Sequence, residues 1–124
     1  MQQGDHFSFT KSFTNEDVAL FTKISGDEGS HHLTPDEQRR LVVQGLLTAT
    51  LPTKIGGDHN VLARSMTFEF MRPVFTGDTI TSEVTMDHLE QHSETRWNIE
   101  ASFMRLNQKG KEVMRGTFAG VILA

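Results

Sequence analysis

Apolar residues along this chain repeat first with a period of two, then as a helical stripe, then with a period of two again. Phe7, Phe9 and Phe13 fall on alternate positions of residues 6–13, as in a short strand with one buried face. Val18, Leu20, Phe21 and Ile24 then occupy roughly half of a helical wheel. Thr14 reads as the N-cap of that helix, with Asp17 at the reciprocal capping position. Gly26 reads as its left-handed stop. A second start signal, Thr34-Pro35-Asp36-Glu37, combines a capping Thr, a Pro at the first helical position and a Glu three residues after the cap. Beyond it, Leu41 to Leu51 is apolar on nearly every side. A long buried helix is therefore expected there, closed by Pro52 and Gly56-Gly57.

The remaining pattern is strand. Met66, Phe68 and Phe70 share a face, Ile80, Val84 and Met86 a second, and Trp97, Ile99, Ala101 and Phe103 a third. Met114, Phe118 and Ile122 mark a last strand. Turns are expected at Pro73 to Asp78, around Leu89 to Glu94, and at Gln108-Lys109-Gly110-Lys111. One buried helix followed by a meander of long strands predicts an α+β fold, a curved antiparallel sheet wrapped around a central helix. The exposed edges of such a sheet predict pairing with a second copy, as a homodimer or a higher homo-oligomer.

Composition narrows the class of function. A chain of 124 residues predicts a single domain over 1–124. A formal net charge of −4 with no basic stripe argues against nucleic acid as a partner. With no cysteine, disulfide, thiolate and Cys-based metal chemistry are excluded, which fits a reducing compartment. There is no apolar run of membrane-spanning length, and Met1 to Asp5 lacks the pattern of a secretory leader, so the expected location is the cytoplasm and no membrane partner is expected. His6, His31, His32, His59, His88 and His92 are scattered without a helical ligand pair, so neither metal nor cofactor is expected. Six methionines and nine phenylalanines with no tyrosine leave two readings open, a well-filled core or an acyl-chain tunnel.

Candidate chemistry concentrates in Ser25-Gly26-Asp27-Glu28-Gly29-Ser30-His31-His32. A carboxylate and an imidazole can hold one water from two sides, one moving its proton while the other orients it. Asp27 and His32 are the candidate pair. Taken singly, Asp27 also fits a turn carboxylate bonding nearby backbone N–H groups, and His32 a core histidine. His31 is the alternative imidazole, and adjacent histidines on an extended segment point apart. Thr53 reads as a hydroxyl satisfying the end of the helix, Arg64 and Arg72 as solvated strand residues or phosphate contacts, and Gly77-Asp78 as a tight turn.

Several of these segments together resemble the MaoC-like hotdog hydratases and dehydratases, the family of (R)-specific enoyl-CoA hydratases. The resemblance is carried by Phe13-Thr14-Asn15-Glu16-Asp17-Val18 through Phe21, by Ser25-Gly26-Asp27 with His32-Leu33, by Val43-Gln44-Gly45-Leu46-Leu47, and by Phe68 with Pro73-Val74 and Gly77-Asp78. It implies a hotdog fold with a long central helix, usually dimeric, and a thioester substrate on coenzyme A or acyl carrier protein. It also implies that Asp27 and His32 hold the catalytic water while the Gly45 N–H meets the substrate carbonyl. Gln44 reads either as a donor to the substrate carbonyl or a loop carbonyl, or as surface or interface packing. The chain departs from the family in having Gly29-Ser30 where Asn-Pro is common, Gln44 where His is common, and a shorter stretch between His32 and Gln44. A non-catalytic acyl-thioester binding or regulatory protein and a hotdog thioesterase are the alternative functions.

Overall fold

The computed structural model describes residues 1–123. Strand β1 (His6–Ser12) leads into helix α1 (Asn15–Ser25). Both ends of α1 form as the local signals predict. The Thr14 hydroxyl accepts from Asp17 N, the Asp17 carboxylate accepts from Thr14 N, and Gly26 closes the helix at φ 74°. Two short helices follow, α2 (Ser30–Leu33) and α3 (Gly45–Thr48), then α4 (Leu51–Asp58).

Four long strands complete the fold: β2 (Val61–Phe70), β3 (Thr79–Ser93), β4 (Arg96–Leu106) and β5 (Glu112–Leu123). They join β1 in a five-stranded sheet of order β1-β3-β4-β5-β2, antiparallel at each pairing. Strand β3 continues through Leu89 to Ser93, so the turn expected from Leu89 shrinks to Glu94-Thr95. Alternation assigns one face to the core: Val84, Met86, Ile99, Ala101, Phe103 and Phe118 are buried there, and α4 packs against β2 and β3. Gly116 and Gly120 of β5 let β2 lie close. A Cβ at either would run into the carbonyl oxygen of Thr67 or of Leu62.

Two helical expectations are corrected. Thr34-Pro35-Asp36-Glu37 starts no helix, and Thr34 instead ends α2. The Asp36 carboxylate accepts from the backbone N–H groups of Gln38 and Arg40 and from the Arg40 guanidinium, each at 2.9 Å. That local turn, with Arg39 at φ 62°, competes with the helix for the same donors and wins. Those bonds and the Arg40 cation also hold the Asp36 carboxyl below its usual range.

The long central helix is likewise two short ones with a later start. Leu41 to Val43 runs extended against Val74 to Thr76, with Val43 N donating to Val74 O at 2.7 Å and Thr76 N to Leu41 O at 2.9 Å. Those bonds hold the segment out of a helix until Gly45. Pro52 then opens α4 rather than ending its predecessor. Lacking an N–H, it cannot bond back to Thr48, and the chain resets through Ala49-Thr50. The Thr53 hydroxyl donates to Thr50 O at that junction. Gly56-Gly57 lie inside α4.

Candidate active site

Asp27 and His32 meet. Gly26 ends α1 in the left-handed region and turns the chain, and α2 brings the imidazole back so that His32 Nε2 lies 3.5 Å from Asp27 Oδ2. His32 is 6% exposed and Asp27 50%, so one partner is fixed and the other wet. Asp27 bonds as a turn carboxylate and also faces the ring. Oδ1 accepts from Gly29 N at 3.3 Å, as a turn carboxylate does, which leaves Oδ2 turned toward the ring.

The other ring nitrogen decides the tautomer. His32 Nδ1 lies 2.6 Å from the Val42 carbonyl oxygen. A carbonyl only accepts, so Nδ1 carries hydrogen, and in the neutral ring Nε2 presents its lone pair on the Asp27 side. Two acceptors 3.5 Å apart can share the two hydrogens of one water, each at an ordinary distance of about 2.8 Å. His31 does not point away as expected on an extended segment. Helix α2 sets its ring against that of His32, tilted by 53°, with centroids 3.9 Å apart.

These rings border a cleft of about 340 Å³ whose walls include Val43, Gly45, Phe70, Val74 and Met114. Gly45 is the first residue of α3, and its N–H has no hydrogen-bond partner among the described residues. Its lack of a side chain also suits the packing, because a Cβ there would lie 2.9 Å from the Phe70 ring, which would have to shift. Gln44, expected at the substrate, is buried and turned elsewhere. Its Nε2 donates to Thr22 Oγ1 at 2.9 Å and to Val18 O at 3.3 Å, tying the start of α3 to α1.

Arg64 is exposed on β2. Arg72 is better placed than its sequence context suggested. It lines the cleft and donates to the Glu112 carbonyl at 2.6 Å. Phe70 and Met114 were not singled out as cleft residues. Their signal lay in the strand alternation, which puts both on one sheet face where β2 and β5 pair at Phe70↔Met114, with Met114 buried and Phe70 half exposed at the sheet edge. A larger hollow of about 750 Å³ lies across the outer sheet face among Thr67, Glu83, Thr85 and Thr117, away from the imidazole.

Comparison with known proteins agrees with this architecture. The thioesterase superfamily matches residues 45–101. The chain has a hotdog fold and is similar to (R)-specific enoyl-CoA hydratase. The relative of that name in Rhodospirillum rubrum is 26% identical over 99 residues, spanning 72% of this chain and 68% of the relative. Among solved structures, the (R)-hydratase from A. caviae involved in PHA biosynthesis superposes with a TM-score of 0.85 at 25% identity, covering 100% of this chain and 98% of that one. An R-hydratase from Pseudomonas aeruginosa gives 0.83 at 22% identity, over 99% of this chain and 82% of that one. Among the described residues no helix is long and apolar enough to cross a membrane.

Proposed function

We propose that this protein adds water to trans-2-enoyl thioesters, carried on coenzyme A or acyl carrier protein, and catalyses the reverse dehydration. The observation that supports this most is the orientation of His32. Val42 O holds the Nδ1 hydrogen, so the Nε2 lone pair faces Asp27 Oδ2 at 3.5 Å beside the cleft. Water bound by both groups gives one proton to Nε2 as its oxygen attacks the β-carbon. The electron pair of the double bond moves onto the thioester oxygen, where the Gly45 N–H meets the developing charge. The enolate then collapses, and the Nε2 proton goes to the α-carbon. Hydroxyl and hydrogen have been added, and the imidazole is neutral again. Asp27 orients the water and stabilises the transient imidazolium. Gln44 acts at one remove, bracing the start of α3 so that the Gly45 amide stays in place.

The test is loss of enoyl absorbance with a crotonyl thioester and longer homologues, for wild type, Asp27→Asn and His32→Ala. If wild type is as inert as both variants at all chain lengths, the reading fails. The superfamily match over residues 45–101 favours a second reading, thioester hydrolysis with Asp27 activating water against the carbonyl. Release of free thiol distinguishes it, since hydration leaves the thioester intact. We also propose a homodimer through β2. This strand pairs on one side only, and Leu62, Phe70 and the adjoining Met71 are exposed there. Sedimentation equilibrium of the wild type and of Leu62→Lys checks it, and an unchanged monomer mass in both would refute it.

A further inference from the structure

Arg105 is the one arginine or lysine whose side chain is buried among the described residues, at 0% exposure. Strand alternation puts it there: Ile99, Ala101, Phe103 and Arg105 all face the core from β4. It has no carboxylate partner. Nε donates to Ser82 Oγ at 3.3 Å, Nη1 touches Met114 Sδ at 3.4 Å, and Nη2 has no partner at all. The Phe103 ring lies 5.2 Å from its central carbon. Burial pushes its pKa down to about 9, so the group is still a cation at neutral pH. A buried charge without a counter-ion is costly, and an apolar side chain would fill the same volume with less penalty.

The position of Arg105 relative to the cleft gives that cost a purpose. Register across the sheet places Ser82, Arg105, Met114 and Phe70 in one row. Phe70 and Met114 line the cleft, Phe70 rests on Gly45, and the Met114 sulfur touches the guanidinium. From Phe70 to Arg105 is two strand spacings, about 10 Å. Arg105 is not on the cleft wall itself, so an acyl group that enters at Gly45 reaches the guanidinium by displacing the unbranched, adaptable Met114 that lies between them.

We propose that Arg105 determines acyl specificity by receiving the far end of the acyl group, so that the preferred substrate is the monothioester of a short enoic acid bearing a second carboxylate. This rests on the hydration reading above. A distal carboxylate would supply the missing counter-ion and occupy Nη2, while a long hydrocarbon tail would have to end against an unpaired charge. The strand pattern carried the signal in advance, since Arg105 continues the apolar face of Trp97, Ile99, Ala101 and Phe103.

The experiment compares two six-carbon coenzyme A thioesters, trans-2-hexenoyl and trans-2-hexenedioyl, with wild type, Arg105→Met and Arg105→Lys. Wild type is expected to favour the diacid in kcat/KM. The ratio should fall on the order of ten- to hundredfold in Arg105→Met, the worth of a charged hydrogen bond, and less in Arg105→Lys. A wild type that prefers the monoacid, or a ratio unmoved by Arg105→Met, overturns the proposal and leaves hydration standing. If wild type hydrates neither, hydration itself has failed. Calorimetry with the saturated hexanoyl and hexanedioyl thioesters then decides: stronger diacid binding lost in Arg105→Met supports the role of Arg105, and equal binding refutes it.

Discussion

Replacing Arg105 by Met should make the protein more stable, and the gain should depend on pH. The side chain is wholly buried, and its contacts are one hydroxyl, one thioether and the Phe103 ring. Burial holds its pKa at about 9. At about 1.4 kcal/mol per tenfold change, the fall from the ordinary guanidinium value caps the cost of the buried charge at about 5 kcal/mol. The weak contacts recover part of that. Exchange for a residue of similar shape should therefore gain about 1–4 kcal/mol at pH 7.

The sign of the pH dependence follows from proton counting. Above about 9 the folded wild type releases the Arg105 proton, whereas the unfolded chain keeps it up to the ordinary value. The unfolded state then binds more protons, so wild-type stability relative to the variant rises with pH. Below about 9 both states hold the proton, and the penalty is full and constant. Urea unfolding of wild type and Arg105→Met at pH 7, 8 and 10 measures this, because other titrations cancel between the two proteins. A variant less stable than wild type at pH 7, or an advantage equally large at pH 10, would refute the reasoning by revealing a counter-charge on the guanidinium. A stabilised variant that has also lost diacid preference would show stability given up for selectivity at one residue.

The other predictions concern the site and the frame that holds it. Asp27→Asn and His32→Ala should each lower the hydration rate by a factor of about 10² to 10⁴, measured by enoyl absorbance, with circular dichroism unchanged. Gly116→Ala should destabilise the fold by at least about 1–3 kcal/mol in urea titration, because the new methyl meets the Thr67 carbonyl, which is backbone and cannot swing aside. Thr14→Ala removes the capping hydroxyl of α1 and should cost about 1 kcal/mol in the same assay.

What was legible in the sequence was what local chemistry decides. Thr14, Asp17 and Gly26 delimit α1 through bonds spanning only a few residues, and strand alternation sorts Ile99, Ala101 and Phe103 onto one face whatever lies beyond. The Asp27–His32 pairing was also readable, since a helix stop and a short return bring the two together. The start of the central helix is not legible locally, because it is settled by Val74 to Thr76, some thirty positions away, which hold Leu41 to Val43 extended. The Thr34-Pro35 start signal lost to a competing turn built by one carboxylate, Asp36. Gln44 faces α1 because Thr22 and Val18 offer partners that no spacing rule displays.

The backbone at Val42 has its own consequence. Its N–H donates to His31 O, its carbonyl receives His32 Nδ1, and its residue bridges to Phe75. What keys the imidazole is thus a peptide group, which every amino acid supplies. An alanine scan would leave this bond in place and report only on the half-buried side chain, which lines the cleft. Only a change that rotates the peptide plane, such as an ester linkage or a shifted loop length, would reveal how much the ring depends on it.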